Sequence, residues 1–301
     1  EDIKPLYTRR EKFSHKGDFG HSLIIGGSYG KIGAVTLTSK SALSIGSGLV
    51  TAHIPKCGYQ IVQTSLVEAM VEVDGENELE LFNSEVDATV IGIGIGMGMK
   101  PATVIGFEAF LKRNKKTLVL DADALNIISK NNKLLNLLPI NSVLTPHPKE
   151  FERLVGGWKN DYDKLKKLRS LSKKYTFIIV LKGAYTVIAH EGELYFNTTG
   201  NPALATAGSG DVLTGMITGL IAQNYGPFEA TILGVYLHGK TAEIAMKTEV
   251  YETFLASDII TYLSHAITDL LSKEPKSVQP STKNSQNIDN SKPEEGDEMY
   301  I

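Results

Sequence analysis

Residues 201–215, Asn201-Pro-Ala-Leu-Ala-Thr-Ala-Gly-Ser-Gly-Asp-Val-Leu-Thr-Gly215, form a loop of small residues that runs into an apolar helix. Gly208, Ser209 and Gly210 carry little or no side chain, so their backbone N–H groups can come close to a ligand. The helix adds free N–H donors and the positive end of its dipole, which together suit a phosphate. Asp211 does not help to hold a phosphate, and it indicates a proton acceptor for a hydroxyl undergoing phosphorylation. The alternative is a tight turn that Asp211 caps.

Around this stretch, short apolar strands alternate with helical segments. This pattern predicts an α/β fold with a mostly parallel central sheet and helices on both faces. The predicted strands are residues 22–25, 49–54, 88–93, 117–120, 142–145 and 177–181, followed by a hairpin of 185–189 with 193–196. The predicted helices are residues 34–45, 104–113, 211–223, 228–247 and 256–272. We expect a lead-in segment over 1–20, one domain over 21–272, and a disordered polar tail over 273–301.

The composition of the 301-residue chain is that of an ordinary globular protein, and it argues against several classes of function. A net charge of −3 without a basic block does not indicate a nucleic-acid partner. No apolar run reaches membrane-spanning length, and the first residues do not resemble a signal peptide. Cys57 is the only cysteine, so neither an internal disulfide nor a thiolate zinc site can form. These features predict a cytoplasmic protein without a membrane partner.

Polar side chains follow the ends of several predicted strands, where the ligand crevice of an open α/β sheet lies. Lys182 could steady a phosphate as a point charge, or it could be a solvated lysine at the start of the hairpin. His147 is held between two prolines, which suits a positioned contact residue, although a purely structural role is an alternative. Asp121, Asp123 and Asn126 could orient a ligand, or Mg²⁺ through water, and Asp123 could instead cap a helix.

Two further segments match a nucleotide-binding pattern in part, and a third matches one in full. Gly27, Gly30 and Gly33 give G-x-x-G-x-x-G, and the alternating glycines of 92–98 also depart from the dinucleotide fingerprint. We interpret both segments as loops that approach a ligand closely. Residues 234–241, Gly-Val-Tyr-Leu-His-Gly-Lys-Thr, satisfy the phosphate-loop expression G-x-x-x-x-G-K-[ST]. Their bulky residues continue a helical pattern, so we predict a helix there rather than a phosphate loop.

Six segments together carry a family resemblance. They are Gly26-Gly-Ser-Tyr-Gly-Lys-Ile-Gly-Ala34, Gly94-Ile-Gly-Met-Gly98, Val119-Leu-Asp-Ala-Asp-Ala-Leu-Asn126, Thr145-Pro-His-Pro-Lys-Glu150, Leu181-Lys-Gly183 and Gly208-Ser-Gly-Asp211. In this order, over about residues 10–270, the chain resembles the ADP/ATP-dependent NAD(P)H-hydrate dehydratase family, whose fold is ribokinase-like. The last segment by itself is typical of the wider ribokinase-like group. The His-Pro segment and the first glycine loop make the resemblance specific.

The resemblance implies a repair reaction. Hydrated NADH or NADPH carries a hydroxyl on C6 of its nicotinamide ring; the family phosphorylates this hydroxyl in the S epimer and then loses phosphate, which regenerates NAD(P)H. Bacterial members commonly use ADP and yield AMP, whereas eukaryotic members use ATP. The resemblance also implies Mg²⁺, a homo-oligomer, often a tetramer, and an NAD(P)H-hydrate epimerase that is fused or separate. We expect this chain to be the C-terminal part of such a fusion.

The resemblance also assigns residues. Asp211 would be the base that activates the C6 hydroxyl, and Mg²⁺ would neutralise phosphate charge; no residue is assigned as a metal ligand. The implied nucleotide-binding residues are Lys182, Gly183, Ala184, Tyr185, Thr186, and the anion hole of Gly208, Ser209 and Gly210. The implied substrate-binding residues are Ala34, Gly96, His147 and Asp211.

Two other functions fit the same residues. A ribokinase-like kinase of a small alcohol, such as a vitamin precursor, would use the same base and anion hole but would leave the phosphate on its product. A catalytically silent nucleotide-binding module would not need the base, and the presence of Asp211 argues against it.

Overall fold

The computed structural model describes residues 3–272, so the predicted disordered tail lies outside the described residues. Its nine strands are β1 His21–Gly26, β2 Leu49–Ile54, β3 Met70–Val73, β4 Val90–Ile95, β5 Leu118–Leu120, β6 Val143–Leu144, β7 Ile178–Leu181, β8 Val187–His190 and β9 Glu193–Phe196. They form one sheet in the order β3-β2-β1-β4-β5-β6-β7-β8-β9. Neighbouring strands from β3 to β7 pair in parallel, and β7, β8 and β9 pair antiparallel. The predicted mostly parallel sheet is therefore confirmed.

The central strands are apolar without interruption because helices cover both of their faces. In β5, Leu118 and Leu120 pack into the core on one side of the sheet, whereas Val119 packs into the core on the other side. In β7, Ile179 packs on the same side of the sheet as Leu118, and Ile178 packs on the same side as Val119. A strand buried on both faces cannot show the alternation of apolar and polar residues that a half-exposed strand shows.

Ten helices complete the described fold: α1 Ile32–Ile45, α2 Tyr59–Ser65, α3 Pro101–Arg113, α4 Ala122–Lys130, α5 Pro148–Val155, α6 Asp161–Tyr175, α7 Ser209–Ala222, α8 Pro227–Ala245, α9 Ala256–Thr261 and α10 Leu263–Ser272. Helices α3 to α6 contribute to the core on one face. The other helices contribute to the cores on the opposite face. Within the described range, no helix is long and apolar enough to cross a membrane.

Helices α1 and α7 pack along a seam of small residues. Gly215 lies against Thr38 and Ser41, where an added Cβ would come within 2.1 Å of the Thr38 carbonyl oxygen and 1.9 Å of Ser41 Oγ. Gly219 lies against the Ala42 backbone, where an added Cβ would come within 2.6 Å of the Ala42 carbonyl oxygen. Across the seam, Thr38 Oγ1 donates to the Asp211 carbonyl at 3.0 Å, which places the first turn of α7 against the middle of α1.

Several predicted boundaries need correction. The strand predicted at 88–93 begins two residues later, and the helix predicted at 256–272 divides into α9 and α10 at Tyr262. The sequence does not predict β3 or the helices α2 and α6, and it suggests α4 only as the helix that Asp123 could cap. The predicted lead-in contains two short 3-10 helices, Lys4–Leu6 and Lys16–Phe19.

Candidate functional site

The site lies at the carboxyl ends of the parallel strands, where the fold places the end of each strand beside the N-terminus of a helix. Asp121 follows β5, Lys182 follows β7, and the glycine loops follow β1 and β4. Because β1, β4, β5, β6 and β7 are neighbours in the sheet, segments far apart in the sequence meet at this edge.

Lys182 and Asp121 form an ion pair at the centre of this edge. Lys182 Nζ lies 2.8 Å from Asp121 Oδ1, and Asp121 is 2% exposed. The other oxygen, Asp121 Oδ2, accepts a hydrogen bond from Thr214 Oγ1 of α7 at 3.0 Å. The Asp121 carboxylate holds the Lys182 ammonium group in one position. The Lys182 side chain is still 22% exposed, so it can contact a ligand. The Lys182 side chain is therefore held in place, unlike a solvated surface lysine.

The N-terminus of α7 meets this ion pair at Gly210. An added Cβ on Gly210 would lie 3.2 Å from Lys182 Nζ and 3.5 Å from Asp121 Oδ2. Gly208 has a φ of +89°, a left-handed conformation that favours glycine, and this turns the chain into the helix. Within residues 3–272, the N–H groups of Gly210 and Asp211 have no hydrogen-bond acceptor, whereas the Ser209 N–H donates to the Thr206 carbonyl at 3.3 Å. Among the described residues, the free donors at the start of α7 are thus those of Gly208, Gly210 and Asp211, and of the three predicted anion-hole residues only Ser209 has its N–H engaged.

Asp211 lies in the first turn of α7 and is partly buried. The pKa of its carboxyl is raised to about 7, mainly by burial and also by the Asp121 carboxylate, against the opposing effect of the Lys182 ammonium. A carboxyl group with a pKa near neutrality can accept a proton from a substrate and release it again. The position and the pKa of Asp211 therefore both suit a general base.

The two glycine loops form a second part of the site. The Gly27 N–H donates to the Ile95 carbonyl at 2.8 Å, and Ser28 Oγ donates to the Gly96 carbonyl at 2.8 Å. Gly96 has a φ of +61°, and an added Cβ would lie 3.3 Å from the Cβ of Ala34. The structure thus brings together Ala34 and Gly96, two residues predicted to bind the substrate.

The interpretation of Asp123 as a helix cap is wrong. Asp121 holds the N-cap position of α4, and Asp123 lies in the first turn. The Asp123 carboxylate instead accepts the Gly98 N–H at 2.9 Å and lies 3.8 Å from Lys31 Nζ. Asp123 therefore links the second glycine loop to the first, because Lys31 immediately precedes α1.

His147 is the N-cap of α5, and its ring is fixed from one side. Nδ1 accepts N–H bonds from Lys149 at 3.2 Å and Glu150 at 3.4 Å, while the Glu150 carboxylate accepts the His147 N–H at 2.9 Å. Burial lowers the pKa of His147, and the Lys182 ammonium lowers it further. The ring is 45% exposed, so it can contact a ligand in its neutral form.

The segment from Lys182 to Thr186 connects β7 to β8 at the rim of the site. Gly183, Ala184 and Tyr185 are exposed, and Thr186 Oγ1 donates to the Gly183 carbonyl at 3.3 Å. The segment is accessible to a nucleotide along its whole length. Its predicted role in nucleotide binding remains a prediction.

The phosphate-loop match at residues 234–241 lies inside α8, as predicted. Lys240 Nζ lies 3.0 Å from Glu243 Oε2 and 3.5 Å from Asp269 Oδ2. A continuous helix directs its backbone N–H groups along its own axis, so this segment cannot surround a phosphate.

Two features of the site were not predicted from the sequence. One is the pairing of Lys182 with Asp121, although both follow strand ends, and the other is the role of Thr214, which lies one turn after Asp211 on the helix. The sequence does carry a signal for the close contact between α1 and α7, which is the spacing of Gly215 and Gly219. Glycines four residues apart in an apolar helix indicate a close approach of another backbone.

Comparison with known proteins identifies the family. The family model described as NAD(P)H-hydrate dehydratase matches residues 22–265 of this chain. The chain belongs to this family. The family's fold is ribokinase-like, in agreement with the prediction from the sequence.

Two curated relatives of this NAD(P)H-hydrate dehydratase family member represent two architectures. The bifunctional NAD(P)H-hydrate repair enzyme of Moorella thermoacetica is 39% identical over 275 residues, which cover 87% of this chain and 52% of the relative. The ADP-dependent (S)-NAD(P)H-hydrate dehydratase of Neisseria meningitidis is 37% identical over 250 residues, which cover 79% of this chain and 81% of the relative. The chain thus spans about half the length of the bifunctional relatives it matches.

A solved structure also resembles this chain closely. The ADP/ATP-dependent NAD(P)H-hydrate dehydratase of Bacillus subtilis, co-crystallised with ATP and Mg²⁺, is 28% identical with a TM-score of 0.77. The match covers 89% of this chain and 96% of that chain.

Proposed function

We propose that this protein dehydrates the S epimer of hydrated NADH or NADPH in a reaction that consumes ADP or ATP. Its family membership and its ADP-dependent relative support this activity. The observation that carries the proposal is the position of Asp211. This partly buried carboxyl group, with a pKa of about 7, follows the free Gly210 N–H and lies within the influence of the Lys182–Asp121 pair.

The proposed chemistry has two steps. Asp211 takes the proton of the C6 hydroxyl while the hydroxyl oxygen attacks the terminal phosphorus of the nucleotide, which releases AMP from ADP or ADP from ATP. The C6–O bond of the phosphate ester then breaks, and C5 of the ring loses a proton. This elimination forms the ring double bond of NAD(P)H and releases phosphate.

The residues of the site act mainly on charge and position. The N–H groups at the start of α7 face the charge that develops on the transferred phosphoryl group, which is the usual electrostatic device for phosphoryl transfer. Lys182 adds a fixed positive charge beside Gly210. The dinucleotide would lie against Ala34 and Gly96, with His147 as a neutral contact.

Mg²⁺ fits this site as a companion of the nucleotide. Among the residues that the structure describes, no three His, Cys, Asp or Glu side chains are grouped to hold a metal ion. Mg²⁺ commonly binds through phosphates, water and one or two carboxylates, and the buried carboxyl groups of Asp121 and Glu150 lie at this edge, where Lys182 and His147 contact them. The ion, when bound, neutralises phosphate charge.

We also propose the wider setting that the family resemblance implies. The protein would act in the cytoplasm as a homo-oligomer, with a tetramer as the expected state. The length of the bifunctional relatives supports an epimerase partner, fused or separate, that supplies the S epimer. Light scattering during size-exclusion chromatography would measure the oligomeric state, and a monomer would contradict this part of the proposal.

The test of the activity is absorbance at 340 nm with purified hydrated NADH, Mg²⁺, and either ADP or ATP. The expected result is a nucleotide-dependent rise, and the faster nucleotide identifies the preferred donor. If folded protein binds nucleotide but gives no rise with either donor, the proposal fails. A phosphorylated small alcohol would then become the product to seek.

A further inference from the structure

His238 reaches from α8 to the first residue of α7, and the proposed chemistry does not yet use it. Its Nε2 atom lies 3.0 Å from the Ser209 carbonyl oxygen and 3.2 Å from Ser209 Oγ. The side chain is buried, with 8% exposure. His238 belongs to the segment that matched the phosphate-loop expression but forms a helix, so its place in the sequence gives no hint of this contact.

The proton on the His238 ring can be placed from its contacts. A carbonyl oxygen can only accept a hydrogen bond, so Nε2 must carry the proton and donate it to Ser209. Burial lowers the pKa of His238 to about 4, against the effect of its hydrogen bond to the Ser209 backbone, so the ring is neutral near pH 7. The Nε2–H is then the only N–H of the ring.

The Ser209–Gly210 peptide transmits this contact to the site. The peptide is trans and planar, so the Gly210 N–H points away from the side on which the Ser209 carbonyl lies. His238 holds the carbonyl, and on the opposite side the Gly210 N–H is free of any acceptor within residues 3–272. Gly210 also borders the Lys182 ammonium group. Holding the carbonyl therefore fixes the direction of the N–H.

We propose that His238 is a positioning residue for phosphoryl transfer, which holds the Ser209–Gly210 peptide so that the Gly210 N–H faces the transferred phosphoryl group. This inference rests on the proposed function. An N–H donor stabilises the transition state only when it is aimed, before the reaction, at the place where negative charge develops. His238 supplies that orientation from a neighbouring helix without touching the substrate.

Three variants test this role. His238→Leu keeps an apolar side chain without a donor, whereas His238→Gln places an amide N–H close to the position of Nε2. Thr241→Val is the matched control: Thr241 is buried on the same helix and donates at 2.7 Å to the His238 carbonyl, not to Ser209. If His238→Leu does not fold, His238→Asn replaces it, since its amide ends one bond short of Nε2.

The kinetic expectation is a loss in kcat with little change in binding. For His238→Leu, kcat should fall by about 10- to 100-fold, because a displaced donor costs part of what a deleted donor costs. KM for hydrated NADH and for the nucleotide should stay within about threefold, because neither binds through His238. His238→Gln should regain most of the loss, and Thr241→Val should match the wild type. A His238→Leu enzyme with wild-type kcat, or a glutamine variant no better than leucine, overturns the proposal.

Amide hydrogen exchange gives a readout that does not depend on turnover. Exchange in the peptide covering residues 205–215 should be faster in His238→Leu than in Thr241→Val, and His238→Gln should restore it. Unchanged exchange in His238→Leu overturns the proposed hold on this peptide. If the wild type forms no NAD(P)H, the proposed function fails, while the exchange pattern still decides whether His238 orders the start of α7.

Discussion

Replacing Asp211 by asparagine should abolish turnover and, at the same time, stabilise the protein. The activity should fall because asparagine cannot accept a proton, and a general base contributes about 10²- to 10⁴-fold to a rate. The stability should rise because the wild-type carboxyl group must ionise in a place that disfavours its charge. A residue kept for chemistry at the expense of stability changes both quantities in opposite directions when it is replaced.

The size of the stability effect follows from the pKa of Asp211. Its pKa rises from 3.8 to about 7 on folding, so the folded protein binds the proton more tightly than the unfolded chain. The stability that this proton contributes is complete below pH 3.8 and is lost as the pH rises through about 7. Three pKa units correspond to about 4 kcal/mol. At pH 5 only the interval from the unfolded pKa of 3.8 up to the pH counts, which is about 1.2 units or about 1.6 kcal/mol.

The assay is urea denaturation of both proteins at pH 8.5 and pH 5. Asp211→Asn should exceed the wild type by up to about 4 kcal/mol at pH 8.5, and by less than half of that at pH 5. Glu229→Gln is the matched control, since Glu229 lies in the first turn of α8 but is exposed; its effect should stay within about 0.5 kcal/mol at both pH values. Equal stability of Asp211→Asn and wild type at pH 8.5 would refute the argument that burial raises this pKa. Full turnover of the variant would refute the assignment of the base.

Three other substitutions test the rest of the site. Asp121→Asn removes a negative charge that raises the pKa of Asp211, so the rise of kcat/KM with pH, centred near 7 in the wild type, should move to lower pH by about one unit. Gly96→Val puts a Cβ 3.0 Å from the Lys31 carbonyl oxygen at a φ of +61°, which strains the second glycine loop. KM for hydrated NADH should therefore rise at least about tenfold in steady-state kinetics, while nucleotide affinity measured by calorimetry should stay unchanged. Lys240→Met should leave ATP affinity within about twofold in calorimetry, because Lys240 pairs with Glu243 of α8 and Asp269 of α10 rather than with a nucleotide.

Each of these three has an outcome that contradicts it. A pH profile of Asp121→Asn that matches the wild type would mean that the two carboxyl groups do not interact. For Gly96, the control is Gly157→Val, at an exposed position where an added Cβ meets only Glu152 Oε1 at 3.5 Å; an equal rise in KM there would point to a general effect on folding. A tenfold loss of ATP affinity in Lys240→Met would restore the phosphate-loop interpretation of α8.

The fold could be predicted where the sequence pattern reflects burial on both faces. The strand 49–54 was predicted with the boundaries that the structure gives, and the hairpin of β8 and β9 was found from its turn at Glu191-Gly192. The edge strand β3 was missed because Met70 and Val73 are exposed and the strand has only four residues. The break at Tyr262 was missed because α9 and α10 continue one apolar pattern on either side of it.

The site could be predicted in its parts but not in its contacts. Local patterns point to Asp211 at the start of an apolar helix, to Lys182 at a strand end and to the glycine loop of 92–98, and the family resemblance assigns Gly96 to the substrate. It could not pair Lys182 with Asp121, which lie 61 positions apart, nor assign Asp123 to the Gly98 N–H. Such pairings depend on the order of strands in the sheet, and that order is not written in any local pattern.

The seam between α1 and α7 determines what a change in each part of the protein can do. The first glycine loop leads into α1 and the Gly-Ser-Gly-Asp segment leads into α7, so the distance from acceptor to donor is set by two helices in contact, with Gly215 and Gly219 at the point of contact. Under the proposed function, substitutions in the loops should therefore alter which dinucleotide fits while the spacing of the two helices stays constant. A larger residue in the seam should instead move the helices apart and slow phosphoryl transfer more than it weakens the binding of either ligand. Under this proposal, the loops determine which substrate binds and the seam determines the distance between the two ligands, so the two properties can change independently.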